Sequence, residues 1–364
     1  MGKLRADERV SIALREMYQQ YGYLPYKVSR FEEYDLYMRN KRFLASEHVL
    51  AFSDMDGKLM ALKPDVTLSI IKNSRDEADT LKVCYAENVY RVPRGEPGFK
   101  EIMQTGLEVI GSVDAYAMGE VLMLAAKSLA AISEGYALDV ADLRIVSGIL
   151  ENEAIGDAQR EQLLALIGDK NLHGLNAACA EMAISDRAKT LLGALITVYG
   201  PLDQTLALYR AMDLPAACGR ALDDLETLAA MMRACGEKNV NLDFSVVNDM
   251  NYYNGLIFAG FIDGIPSGVL SGGRYDYLMR RMGRKGQAVG FAVYLDQLSC
   301  LMDAREEYDV DVLITYSAAS DPVAVAAAAQ AVVAGGESVR VQRAGETSVR
   351  SRRTISLDSG EAEQ

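Results

Sequence analysis

Gln104, Gly106 and Glu108 stand two residues apart in KEIMQTGLEVIG, so a strand through them points all three to one face of a sheet. Arg91 ends the apolar run before them and Arg94 sits in the loop between. A strand pair with an arginine beside its loop and a polar row on one face suits an anionic, hydrogen-bonding small ligand. The same residues also fit an ordinary half-exposed hairpin, and this stretch alone does not choose between the two.

The elements that hold these residues are legible around them. Val83, Tyr85, Val89, Tyr90 and Val92 give the first strand, and Ile102, Leu107, Val109 and Ile110 the second. Pro93, Gly95, Pro97 and Gly98 make the connection a wide loop. Upstream, Val10, Leu14, Met17 and Tyr21 predict a helix over 5–21 that ends at Gly22. HVLAFSDMDGKLMALKPD reads as a hairpin turning at Asp56-Gly57, and Asp65 or Thr67 then opens a short helix through Ile70 and Ile71. Asp114 caps a helix that turns Met118, Leu122, Ala125 and Leu129 inward.

YALDVADLRIVS reads as a further strand, and SGVLSGGRYDYLMRRMG as a hairpin-like run leading to a strand and helix in QAVGFAVYLDQLSCLM. Between 151 and 238, Leu163, Ile167, Leu191, Leu195, Leu222, Leu225 and Met232 mark amphipathic helices with few strand signals, an all-helical insertion. His173 lies there and reads as structural. Acidic residues 303–309 read as a linker. VDVLITYS, DPVAVAAAAQAVVAGG and ESVRVQR form a strand–helix–strand unit, and the polar last twenty residues are expected to fray. The expected organisation is therefore a core of 1–150 and 239–303, the insertion at 151–238, and a small C-terminal α/β unit with a polar tail at 308–364.

Composition narrows the function classes. The 364 residues are half apolar, enough for two domains and a sizeable core, and no apolar run reaches the roughly 20 residues of a membrane span. The N-terminus has no apolar signal region, so the expected location is cytoplasmic. Five scattered cysteines contain no CxxC, and only His48 and His173 could join them, so neither a structural metal nor a disulfide framework is expected, and the reading includes no cofactor. A net charge of −13 counts against nucleic acid as the partner.

Five segments in order carry a resemblance: LKPDVT, YRVPRGEPGFKEIMQTGLEVIG, MNYYNGLIF, SGGRYDYL and AVGFAVYLDQL. Over most of residues 5–303 they resemble the catalytic core of histidyl-tRNA synthetase, a class II aminoacyl-tRNA synthetase. The resemblance implies an α+β fold, an antiparallel sheet flanked by helices. It implies an amino-acid pocket of Asp65, Thr67, Gln104, Glu108, Tyr252 and Tyr253, with Glu108 as an ionised anchor for a histidine-like ligand. Arg91, and Arg274 in SGGRYDYL, are its candidate anion-binding residues.

The departures bear on activity. Pro93 stands where the family has an acidic residue, Ser29 where it has proline, and Asp296-Gln297 where it has glutamate–arginine. Asn248-Asp249 precedes the tyrosine pair where arginine and aspartate are usual. Two arginines that would face phosphate are thus neutral amides, and at about 2 to 4 kcal/mol each their loss removes decades of rate. A synthetase-like core so altered resembles the regulatory subunit of ATP phosphoribosyltransferase, a paralogous family. This branch implies no catalytic residues and a short-form phosphoribosyltransferase as partner. It also implies a homodimer, built through residues 5–35, within a hetero-oligomer, and histidine as feedback effector in the first step of histidine biosynthesis. A divergent histidyl-tRNA ligase and a free-standing histidine-binding pseudoenzyme are the competing readings.

Overall fold

The structure, a computed structural model, describes residues 6–44, 48–74, 80–92, 98–249, 253–298, 308–345 and 348–357. The expected linker at 303–309 and loop residues Pro93, Arg94, Gly95 and Pro97 fall largely or wholly outside them. The chain forms two compact units, Arg9–Cys300 and Leu301–Gln364 with Met1–Glu8.

In chain order the first elements are α1 (Ala6–Gln20), β1 (Leu24–Pro25), β2 (Phe31–Glu33), α2 (Tyr34–Arg39), β3 (Ala51–Ser53), β4 (Leu59–Leu62) and α3 (Thr67–Asn73). The paired strands β5 (Leu81–Arg91) and β6 (Lys100–Gly111) follow, then α4 (Ala115–Ile132), β7 (Tyr136–Asp142) and α5 (Leu143–Ile149). The helical region holds α6 (Asp157–Gly168), α7 (Leu172–Glu181), α8 (Asp186–Thr197), β8 (Gly200–Pro201), α9 (Leu202–Ala211) and α10 (Gly219–Ala234). The unit closes with β9 (Val240–Leu242), β10 (Leu256–Ile262), β11 (Leu270–Arg274), α11 (Asp276–Arg281) and β12 (Gln287–Tyr294).

Nine of these strands form one sheet in the order β1-β5-β6-β12-β11-β10-β7-β9-β8. Its pairings are antiparallel except β1 with β5 and β7 with β9. The expected α+β class with a largely antiparallel sheet is therefore what the chain adopts. Both edge strands are two residues long and end in proline, Leu24-Pro25 and Gly200-Pro201. A separate small sheet runs β2-β4-β3.

α1 and α4 cover one sheet face. Tyr18 on α1 meets Phe291 edge-on at 5.8 Å, and its hydroxyl lies 2.8 Å from Ser128 Oγ on α4. The buried line of α1 runs through Ser11, Leu14 and Tyr18, with Val10, Met17 and Tyr21 only half-buried. The stripe is offset from the apolar one because Ser11 and Tyr18 find hydroxyl partners in the interior, Ser11 at 3.1 Å from Thr105. Among the described helices α4 alone has the length and apolarity to cross a membrane, and most of it is buried inside this core. Asp114 caps it as expected, accepting the Ala117 N–H at 2.8 Å.

The other face carries α3 and α11. There Ile102 and Ile110 of β6 share one apolar cluster with Ile70, Ile71, Tyr275 and Leu278. The Asp56-Gly57 turn forms between β3 and β4, with Gly57 at φ +77°.

Three expectations are corrected. LRIVS is the helix α5, because Asp142 at the end of β7 accepts the Arg144 N–H at 2.9 Å and so starts a helix in residues with strand propensity. The run through SGGRYDYL is not a hairpin but β11 followed by α11; Asp276 Oδ1 accepts the Ala288 N–H and fixes the chain reversal. The polar tail also folds in part, as shown by the second unit.

That unit contains β13 (Val310–Tyr316), α12 (Pro322–Ala334), β14 (Val339–Arg343) and β15 (Ser351–Ser356), with a parallel sheet in the order β14-β13-β15. Asp321 caps α12 through the Val323 N–H, and Val332 meets Val312 and Ile314. The tail segment Ser351–Ser356 is a strand despite its charge: Ile355 joins this small core, and Arg350 and Arg353 pair with Asp309 and Glu337.

Every apolar residue singled out in the helical region is buried. Two of its helices end in left-handed residues other than glycine, Lys170 after α6 (φ +51°) and Ala183 after α7 (φ +52°). Ala183 is exposed, and its position is one that glycine fills without steric cost. Ala183→Gly is expected to stabilise the protein by about 0.5 to 1 kcal/mol. A urea midpoint that stays or falls would show that the turn holds no such strain.

Candidate functional site

β5 and β6 pair so that Glu108 lies opposite Val83, Gly106 opposite Tyr85 and Gln104 opposite Glu87. On its other side β6 meets β12, with Gly290 opposite Glu108 and Tyr294 opposite Gln104. Alternation points Gln104 and Glu108 to the α3/α11 face, where both are buried, Glu108 at 2% exposure.

Space for the Glu108 carboxyl comes from glycine. A side chain at Gly290 would begin 1.7 Å from Glu108 Oε2. One at Gly106 would meet the Tyr85 hydroxyl at 2.6 Å, and one at Gly273 the Tyr253 ring at 2.7 Å. Gly106, Gly273 and Gly290 thus open a floor across three adjacent strands, bounded by tyrosines.

Two hydroxyls hold Glu108. Thr67 Oγ1, in the first turn of α3, donates to Oε1 at 2.7 Å, and Tyr275 donates its hydroxyl to Oε2. Asp65 positions Thr67 by accepting the Leu68 N–H at 2.8 Å. Tyr275 is fixed by its own N–H to the Ala288 carbonyl at 2.9 Å.

Burial pushes the Glu108 pKa up to about 8; the neighbouring Asp65 adds to the rise, while the Tyr275 and Thr67 hydroxyls hold it back. Burial also raises Asp65, against the Leu68 N–H and the charge of Arg91. Tyr85 and Tyr275 stay protonated, pushed up by burial and by Glu108. Burial thus favours the protonated form of Glu108 toward neutral pH, against the ionised anchor that the resemblance implies, and a cation beside it would favour the ionised form.

The structure brings Asp65, Thr67 and Glu108 together, with Gln104 on the same strand and face. Tyr253 is half-buried beside Gly273; Tyr252 lies outside the described residues. Arg91 stacks its guanidinium 5.4 Å from the Tyr294 ring. Arg274 donates Nε to the buried Asp276 at 2.8 Å, so its charge is already matched and an anion would compete with that carboxylate. Tyr275 and Tyr85 escaped the sequence reading. SGGRYDYL contained Tyr275, but its direction depends on the turn into α11; Tyr85 looked like any aromatic strand residue.

The site is a closed carboxyl ringed by hydroxyl donors on a glycine floor, fit for a small cationic or hydrogen-bonding ligand. The family model for histidyl-tRNA synthetase matches residues 2–298. The chain belongs to the histidyl-tRNA synthetase family. Within it, the chain is 27% identical over 292 residues to an ATP phosphoribosyltransferase regulatory subunit from Alkaliphilus metalliredigens, covering 78% of this chain and 74% of that one. Among solved structures, an ATP phosphoribosyltransferase regulatory subunit/histidyl-tRNA synthetase from Bacillus halodurans C superposes with a TM-score of 0.81 at 24% identity, covering 98% and 94%. A chain of an ATP phosphoribosyl transferase complex from Thermotoga maritima gives 0.63 at 21%, covering 81% and 98%. These likenesses fix the fold of the histidyl-tRNA synthetase family on this chain.

One departure from that family is visible in its surroundings. Gln297 accepts from Ser267 Oγ at 2.7 Å and donates to Asp296 at 3.0 Å, a neutral amide engaged with its neighbours. Asn248 is known here by sequence alone, since its side chain lies outside the described residues.

Proposed function

We propose that this chain is the regulatory subunit of an ATP phosphoribosyltransferase, acting in the first step of histidine biosynthesis without catalysis of its own. The observation that carries the reading is the combination of a relative of that name over most of both chains with neutral Gln297 and Asn248 at two arginine positions. Adenylate formation needs cations at the α-phosphate, and neutral amides do not supply them. Its partner is a short-form phosphoribosyltransferase chain, the assembly is a hetero-oligomer built on a homodimer, and histidine is the effector.

The amino-acid pocket of this reading consists of Asp65, Thr67, Gln104, Glu108, Tyr252 and Tyr253, with Tyr275 added from the geometry. A histidine ammonium or imidazole N–H would take the place between the hydroxyls and Glu108.

The test mixes the purified chain with a short phosphoribosyltransferase. Co-elution, activity that depends on both chains, and inhibition by histidine are expected. Pyrophosphate exchange that depends on histidine, at a synthetase-like rate, would instead establish a working ligase. No association with the transferase would return the chain to the free-standing binding reading.

A further inference from the structure

Lys170 occupies a left-handed backbone position that glycine would fill at lower cost, yet its side chain has work there. Its Nζ lies 2.7 Å from Asp243 Oδ2 and 3.7 Å from the centre of the Tyr199 ring. Asp243 follows β9, and its side chain is nearly buried. Its N–H donates to the Val140 carbonyl on β7 at 3.0 Å, and its Oδ1 accepts the Ser245 N–H at 2.8 Å. That second bond opens the helical turns Phe244–Asp249, along which α6 packs. Four residues after Asp249 the chain reaches Tyr253, at the glycine floor of the candidate pocket.

We propose that Lys170 is a latch by which the helical region holds Phe244–Asp249 and, through it, the Tyr253 side of the pocket, linking the placement of those helices to pocket occupancy. The linkage rests on the pocket reading given above; the latch itself rests on the Lys170–Asp243 geometry. Lys170 would then be a positioning residue, since it touches no part of the pocket. Its unfavourable backbone turn persists because only a side chain longer than glycine spans to Asp243.

Four full-length chains test this: wild type, Lys170→Gly, Lys170→Met and Ala183→Gly. Hydrogen exchange of the Phe244–Asp249 amides is read together with calorimetric titration of histidine. Both Lys170 variants should speed exchange there about tenfold. They should also weaken histidine about three- to tenfold. Lys170→Met keeps the left-handed residue a non-glycine one, so its agreement with Lys170→Gly isolates the lost ion pair. Ala183→Gly relieves a like turn with no such partner and should change neither reading. Wild-type exchange in both Lys170 variants, or equal effects from Ala183→Gly, overturns the latch. Faster exchange with unchanged histidine affinity overturns the linkage. Faster exchange with no histidine uptake by any chain overturns the pocket reading and leaves the latch standing on the segment alone.

Discussion

Glu108→Gln is expected to stabilise the unliganded protein at pH 9 while weakening histidine binding about tenfold to a hundredfold. In the unfolded chain this carboxyl titrates near 4.5, and in the fold it titrates at about 8. The fold therefore holds the proton more tightly than the unfolded chain does. The advantage is complete below the unfolded value, declines as pH rises from there, and is lost on passing the folded value. At pH 9 an ionised, buried Glu108 costs on the order of 4 kcal/mol relative to an unfolded carboxylate. Glutamine has nothing to titrate, so the urea midpoints of the two proteins should diverge as pH rises from about 5 to about 8, with the variant ahead at and above the upper end. Histidine binding moves the other way: a cation beside the carboxyl favours its ionised form, so uptake at pH 7 should release protons from the wild type and few from the variant. Calorimetry in buffers of different ionisation enthalpy counts them. Parallel midpoints across the pH range, or equal affinities, would remove Glu108 from the role of anchor.

Gly290→Ala should be the most damaging small substitution in the core. The added methyl would lie 1.7 Å from Glu108 Oε2 and 2.4 Å from the Leu107 carbonyl oxygen. A side chain can rotate away, but the Leu107 carbonyl belongs to the backbone of β6, in the middle of the nine-stranded sheet. Relief then requires the strands to part, at a cost of about 3 kcal/mol or more. Histidine binding should fall below detection, because Glu108 must leave Thr67 and Tyr275. Gly57→Ala gives the comparison. Gly57 has a positive φ, which Gly290 lacks, but nothing within 4 Å of the added atom, so that variant should lose only about 1 kcal/mol. If both substitutions shift the urea midpoint equally and spare binding, the glycine floor is not a packing constraint.

Both predictions concern residues whose strand was readable from sequence but whose surroundings were not. The period of two in β6 placed Gln104 and Glu108 on one face, and that inference depends only on local geometry. What the pattern could not supply was the third dimension: Tyr275 reaches Glu108 across 167 residues of chain, and nothing local to either announces it. Burial had the same character. Glu108 reads as a charge in the sequence, and only the covering residues turn it into a weak acid. Where local signals misled, a capping carboxylate outweighed propensity, as Asp142 did in making α5 from LRIVS. Ser351–Ser356 failed for the opposite reason, since its charge argued for solvent while its pairing with β13 and the partial burial of Ile355 came from elsewhere.

The ends of the large sheet bear on how any other polypeptide could attach to it. Pro25 and Pro201 each lack the amide hydrogen that an incoming strand would accept, and each lies in an edge strand only two residues long. Extension of the sheet by a strand from a second protein is therefore disfavoured along both of these short edge strands. A protein that assembles with the Arg9–Cys300 unit is then left mainly with side chains on its helices, on its loops or on the small β2-β4-β3 sheet. Under the function proposed above, recognition of a catalytic chain would then rest on side-chain complementarity rather than on backbone pairing, and substitutions on those helices and loops, not in the sheet edges, should be the ones that abolish co-elution.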